Sequence, residues 1–233
     1  MTREAVPEPA AVLARILASA QRKSDALAQE LHPTWLEHGL RKLALVTAAS
    51  PAAERSTARA LAALYNLRWP GLDRFTLPAH RIALLPRPDL RRLLAAVALH
   101  AERGRVRISI GPGVRGALIG CVGQEAYGQM VAAPPPLKGV AARALTPAEA
   151  DPERLAAAGA TRLVEAGAWR SGTLLRWVQI ALGPTVRTTS PAVATTAAQD
   201  TREALERLPI YFPEHAWLFG SPTDQALSAS PTA

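Results

Sequence analysis

The chain is poor in cysteine, lysine and aromatic residues, and it has no long apolar run. A single cysteine, Cys121, excludes a disulfide framework within the chain. Without cysteine pairs or a His-Glu-x-x-His pattern, the scattered His32, His38, His80, His100 and His215 offer no zinc site. There is no G-x-x-x-x-G-K-[ST] for nucleotide phosphates and no G-x-S-x-G elbow for a serine nucleophile. The expectation is a protein with no enzymatic activity, cofactor, metal or small-molecule substrate. The longest apolar stretch, 93–99, falls far short of the ~20 residues of a membrane span. At the start, MTREAVPEP puts acids and prolines where a signal peptide needs a basic start and an apolar run. A cytoplasmic protein is expected.

What the chain does have is alanine and helix signals. Nearly half of its 233 residues are hydrophobic but only 5% are aromatic, so the core is expected from closely approaching helices. Segment 11–31 repeats apolar residues at Val12, Ile16, Leu17, Ala20 and Leu27 with helical spacing, and 34–47 does so from Trp35 to Leu45. Ser50-Pro51 starts a helix carrying Leu61 and Leu64. Trp69-Pro70-Gly71 and Leu77-Pro78 mark the strongest internal break, near 68–80. Further helices are expected over 89–103, 112–131, from Asp151-Pro152 onward, over 174–182 and over 200–208. Pro134–Pro136 is a stiff break, and 186–198 reads as a loop. The reading is a mostly α, compact multi-helix domain over 11–220, with a flexible start at 1–10 and a disordered tail at 221–233. One segment stays open. In 105–110, Val106, Ile108 and Ile110 alternate with Arg107 and Ser109, which suits a short strand, while a helix or irregular link is the alternative.

Several motifs have plain explanations. Gly111-Pro112-Gly113-Val114-Arg115-Gly116 fits G-x-G-x-x-G, yet no acid follows ~20 residues on to hold a ribose. Pro112 also removes an N–H that a phosphate cradle would use. A turn is the better reading, with Gly116, Gly120 and Gly123 letting another helix approach closely. Cys121 among Leu118, Ile119 and Val122 reads as inert core rather than as a thiolate paired with His100. Glu149, Asp151 and Glu153 read as solvated charge at a helix start.

The remaining feature is a block of arginine. Between His80 and Gly116 stand Arg81, Arg87, Arg91, Arg92, Arg103, Arg105, Arg107 and Arg115 against Asp89 and Glu102 alone, an excess of six in a chain whose net charge is +8. Such a block steers acidic partners, and Arg91, Arg92, Arg103, Arg105 and Arg107 are the candidate partner-binding residues. No aromatic residue lies between His80 and Gly116, which argues against nucleic acid, though a basic nucleic-acid-binding protein remains the alternative reading.

In this order, 84–130 resembles the K subunit of bacterial type III secretion systems (the YscK/SctK family and its plant-pathogen relatives). The pieces are the leucine-rich 93–100 ending at His100, the arginine continuation 103–107, and 114–130 with Gly123, Gln124, Glu125 and Tyr127. Three others fall in order: Leu31-His32-Pro33-Thr34-Trp35-Leu36 at the front, Leu174-Leu175-Arg176-Trp177-Val178-Gln179-Ile180, and 202–208 followed by His215, Trp217 and Phe219. Gly183-Pro184 stands where the family has Leu-Pro. The resemblance implies a non-catalytic cytoplasmic adaptor of the sorting platform, peripheral to the inner membrane through protein contacts. Its implied partners are the cytoplasmic domain of the inner-membrane ring protein (SctD-like) and the pod subunit (SctQ-like). If the arginines meet one of these, reversing Arg91, Arg92 and Arg103 to glutamate is expected to abolish binding without unfolding the protein.

Overall fold

Helix α6 (Arg87–Ala101) is the axis around which the rest is packed. Pro88 and Asp89 favour its start, and beyond them Leu90 and every residue from 93 to 100 is buried. A helix buried on all sides belongs at the centre. Each fully buried leucine in it contributes roughly 1.5–3 kcal/mol of transfer free energy. The structure is a computed structural model that describes residues 9–44, 51–134, 143–169, 171–184 and 195–220. The expected tail at 221–233, residues 1–8 of the expected flexible start, and most of the 186–198 loop lie outside the described residues.

Around α6 stand α8 (Pro112–Val122), α10 (Pro152–Glu165), α11 (Gly172–Leu182) and α12 (Thr195–Tyr211), with α10 the most extensive neighbour. Residues 195–198, expected in a loop, already belong to α12. Asp151 caps α10, its carboxylate accepting the Arg154 N–H at 2.8 Å. Both helices are rich in small buried residues: Ala95, Ala96 and Ala98 in α6, and Ala156, Ala157, Gly159 and Ala160 in α10. That is how an alanine-rich, aromatic-poor sequence fills a core.

The front of the chain forms a second apolar cluster. It is built by α2 (Leu27–Glu30), α3 (Pro33–Lys42) and α4 (Pro51–Leu64), with Leu27, Leu31, Leu61 and Tyr65 at its centre, while α1 (Pro9–Asp25) gives Ile16 to the main core. Pro9 and Ala10, expected in the flexible start, already belong to α1. Helix α11 joins the two clusters, giving Leu174, Val178 and Leu182 to the main core and Trp177 and Ile180 to the second. Trp69 stacks on Trp177 at 4.1 Å and 12°, and packs on both. The break near 68–80 is therefore a connection with an anchoring side chain, running through a 3₁₀ turn (Leu72–Thr76) into α5 (Pro78–Arg81). Buried Lys23 ties α1 to the same region, donating to the Leu85 carbonyl 3.5 Å from Glu30, which in turn accepts the Arg87 N–H at 2.8 Å. Burial pushes the Lys23 ammonium down to about 8, against the pull of Glu30.

One open question is settled here and one expectation corrected. Segment 105–110 is not a strand: α7 (Arg103–Ile108) takes its first four residues, and no strand occurs among the described residues. A strand would place Val106, Ile108 and Ile110 on one face. Instead Val106 is buried while Ile108 and Ile110 are exposed. The Ser109 hydroxyl then closes the turn, donating to the Arg105 carbonyl at 2.7 Å and accepting Leu145 N–H at 2.8 Å. With a helix before Gly111, the glycine pattern also lacks the strand that a dinucleotide site requires.

The correction concerns glycine. A Cβ at Gly116 or Gly120 would meet nothing within 4 Å. Helix α8 buries Leu118, Cys121 and Val122 and turns these glycines to solvent. Gly123 serves a different purpose. At φ +92° it ends α8 and starts α9 (Gln124–Ala132), dividing the expected 112–131 helix. Close helix approach occurs elsewhere, at Gly159. Gly120→Ala is accordingly expected to raise stability by up to about 1 kcal/mol, read from urea unfolding; a loss would mean that α8 packs differently.

Candidate functional site

The arginine block folds inward more than its sequence suggests. Arg81 donates to the carbonyls of Phe75, Leu218 and Thr76. Arg87 and Arg91 converge on Glu153, at 3.0 and 3.1 Å. Arg92 lies 3.6 Å from Asp89 and 3.8 Å from Glu214, with its guanidinium 5.4 Å above the Phe212 ring. Arg103 is buried. It donates to the Pro134 carbonyl at 2.9 Å and the His100 carbonyl at 3.0 Å, and its outer nitrogen bonds both Glu203 oxygens at 3.1 Å. Arg105 bonds Glu102 and Glu149, each at 2.8 Å, and the Arg143 carbonyl. Arg107 donates to the Ala133 carbonyl at 3.2 Å, and Arg115 stands in solvent.

Four carboxylates from outside the block thus reach it: Glu149, Glu153, Glu203 and Glu214. They cancel most of the local excess, because a cation and an anion ~3 Å apart leave only a dipole's short-ranged field at a distance. This weakens the reading as a phosphate-binding surface. It also revises the acidic cluster. Glu149 is held down to about 2 by the Arg105 hydrogen bond, aided by Thr146. Glu153 receives two arginines and Asp151 caps a helix, so none of the three is idle solvated charge. Among the described residues, Arg107 and Arg115 are the exposed members of the block with no carboxylate beside them. Sequence reasoning named Arg107 but not Arg115, whose signal was its place on the open face of α8.

Reversing Arg103, expected from the sequence to spare the fold, is on this geometry expected to disturb it. Arg103 is an internal clamp between α7, α12 and the end of α9.

His100, at the end of the leucine-rich run, is also internal. Its Nδ1 pairs with the Tyr211 hydroxyl at 2.7 Å and its Nε2 faces Glu203 at 3.5 Å. Burial first, then Arg103 and Arg207, hold the imidazole well below its ordinary value against the pull of Glu203. A base kept neutral in the fold but protonated when unfolded makes stability fall as pH drops below about 6.5. Each pH unit of that window is worth up to about 1.4 kcal/mol. Urea titrations between pH 7 and 5 are expected to show this loss, and His100→Gln is expected to flatten it; an equal slope in both proteins would remove His100 as the cause.

Cys121 is buried, with its thiol donating to the Ala150 carbonyl at 3.2 Å, and burial pushes it up to about 11. It has no nucleophilic character at neutral pH. No group of three or more metal-ligating side chains exists among the described residues, and none of their helices is long and apolar enough to cross a membrane.

What remains is a helical body whose charged groups mostly hold it together. The model of one family, described as bacterial type III secretion protein (HrpB4), matches residues 7–214. The chain belongs to the HrpB4 family. Its role is accordingly in a type III secretion apparatus, and the resemblance carried by 84–130 is borne out at that level. The HrpB4 match encloses every α-helix of the described residues, from α1 through α12, so the family's pattern is the pattern of the whole fold. No curated protein and no solved structure matches the chain significantly.

Proposed function

We propose that this HrpB4-family protein is a non-catalytic adaptor of the secretion apparatus, standing at the cytoplasmic face of the inner membrane. It joins the sorting-platform pods to the cytoplasmic domain of the inner-membrane ring protein. The observation that carries this reading is the family match across residues 7–214. The geometry supports it in a second way. An adaptor needs a body that keeps its shape while neighbours pull on it, and cross-chain clamps such as Arg103–Glu203 and Arg87–Glu153 give that. Mechanism in this reading is binding geometry, with no bond made or broken.

Of Arg91, Arg92, Arg103, Arg105 and Arg107, the internal bonds of Arg103 and Arg105 support a scaffold role for those two. Arg91 is shared with Glu153, Arg92 is loosely paired, and Arg107 meets no carboxylate among the described residues. Contact with an acidic neighbour falls to Arg92 and Arg107. The test is a tagged pulldown from the native bacterium with the recovered proteins identified by mass spectrometry. Ring protein and pod subunit are the expected cargo. Nucleic acid or ribosomal proteins without secretion components would overturn the adaptor reading in favour of a nucleic-acid-binding protein.

A further inference from the structure

The corner between α7 and α8 carries features that nothing among the described residues explains. Ile110 is 82% exposed and Ile108 43%, the former the most exposed large apolar side chain among the described residues. Isolated exposed leucines or isoleucines are ordinary, but two apolar side chains flanked by uncompensated charge are not. The flanking charges are Arg107 and Arg115, the two exposed arginines of the block that no carboxylate meets among the described residues. The first amides of α8 point the same way. Gly111, preceding that helix, has no side chain to cap them, so the positive helix end adds to the field. Behind Arg115, Gly116 leaves the helix surface bare, so a partner's backbone can come close without displacing a side chain.

We propose that this corner is the docking face for an acidic, amphipathic segment of another apparatus subunit. Ile108 and Ile110 meet its apolar side chains, and Arg107 and Arg115 meet its carboxylates. The proposal rests on the adaptor reading and names the surface that reading requires. A second copy of this chain would bring the same cations face to face, which opposes self-docking. A phosphate backbone would leave Ile110 without a partner, and no aromatic side chain lies on this stretch to stack on bases.

The experiment places a photo-crosslinking amino acid at position 110 of the full chain in the native bacterium. In parallel, Ile110→Asp and the pair Arg107→Glu/Arg115→Glu are compared with wild type for co-purification. The expected result is a crosslink to the ring protein's cytoplasmic domain or to the pod subunit, abolished by the paired arginine reversal. Affinity for that subunit, purified, should fall roughly tenfold or more with Ile110→Asp. All variants should keep the wild-type melting temperature, since these side chains lie on the surface. Apparatus subunits that co-purify equally with wild type and variants would overturn this face while leaving the adaptor reading intact. Recovery of no apparatus subunit by wild type would sink the adaptor reading and the docking face together. A crosslink to a second copy, or sedimentation with phosphatidylglycerol vesicles that the same variants weaken, would assign the corner to a different occupant and overturn the proposal.

Discussion

Gly159→Ala is expected to destabilise the protein by ~3 kcal/mol or more, and Gly159→Leu to prevent folding. A Cβ at this position would overlap the carbonyl oxygen of Leu94 and lie 2.7 Å from its carbonyl carbon. Those atoms are backbone of α6, and a backbone in the middle of a buried helix cannot turn aside as a long side chain can. Helix α10 would have to retreat from α6, opening gaps along the most extensive helix pairing among the described residues. Given a total stability of about 5–15 kcal/mol for a domain, even the alanine variant should show a much lower urea midpoint. Gly120→Ala, the matched control on open surface, should move the midpoint the other way. Equal behaviour of the two variants would refute the α6–α10 packing.

Arg103→Glu is expected to be as damaging, for an electrostatic reason. The guanidinium is buried and every bond it makes is to a different part of the chain: His100, Pro134 and Glu203. Removing one partner of such a pair costs about 3–5 kcal/mol, and Glu203, 37% exposed, retains enough water to favour the lower figure for Arg103→Met. A glutamate there adds a second carboxylate against Glu203 and removes the donor that the His100 and Pro134 carbonyls share. Insoluble or molten protein is the expected outcome by circular dichroism and gel filtration. Arg103→Met combined with Glu203→Leu removes both charges and should recover much of the loss, as buried pairs exchanged for apolar ones often do. If Arg103→Glu melted like wild type, Arg103 would be a surface residue after all. It would then stand again among the candidate partner contacts.

These two sites show how unevenly the sequence speaks. Helix starts were legible because their signals are local: Pro51, the Pro88-Asp89 pair and Asp151-Pro152 each stand where a helix begins. The leucine run 93–100 was legible as a core helix for the same reason. The 105–110 segment stayed open because a six-residue stretch supports a period of two as easily as one helical turn and a half, and packing of Val106 broke the tie. The glycines of 116–123 misled because a sequence shows where small residues are but not which face of the helix they occupy.

By itself the sequence determined a mostly α-helical body and, through the order of its fragments, membership of a type III secretion family. Helix propensity, capping and apolar spacing act within a few residues of each other, so a linear reading captures them. Only the tertiary structure decided what the charge is for. Glu149, Glu153 and Glu203 lie 44 to 100 residues along the chain from the arginines they meet, at 2.8 to 3.1 Å in space. Coulomb energy depends on that second distance and is indifferent to the first. Most of the arginine block became internal structure for that reason, and the corner holding Arg107 and Arg115 was left as the charge that faces outward.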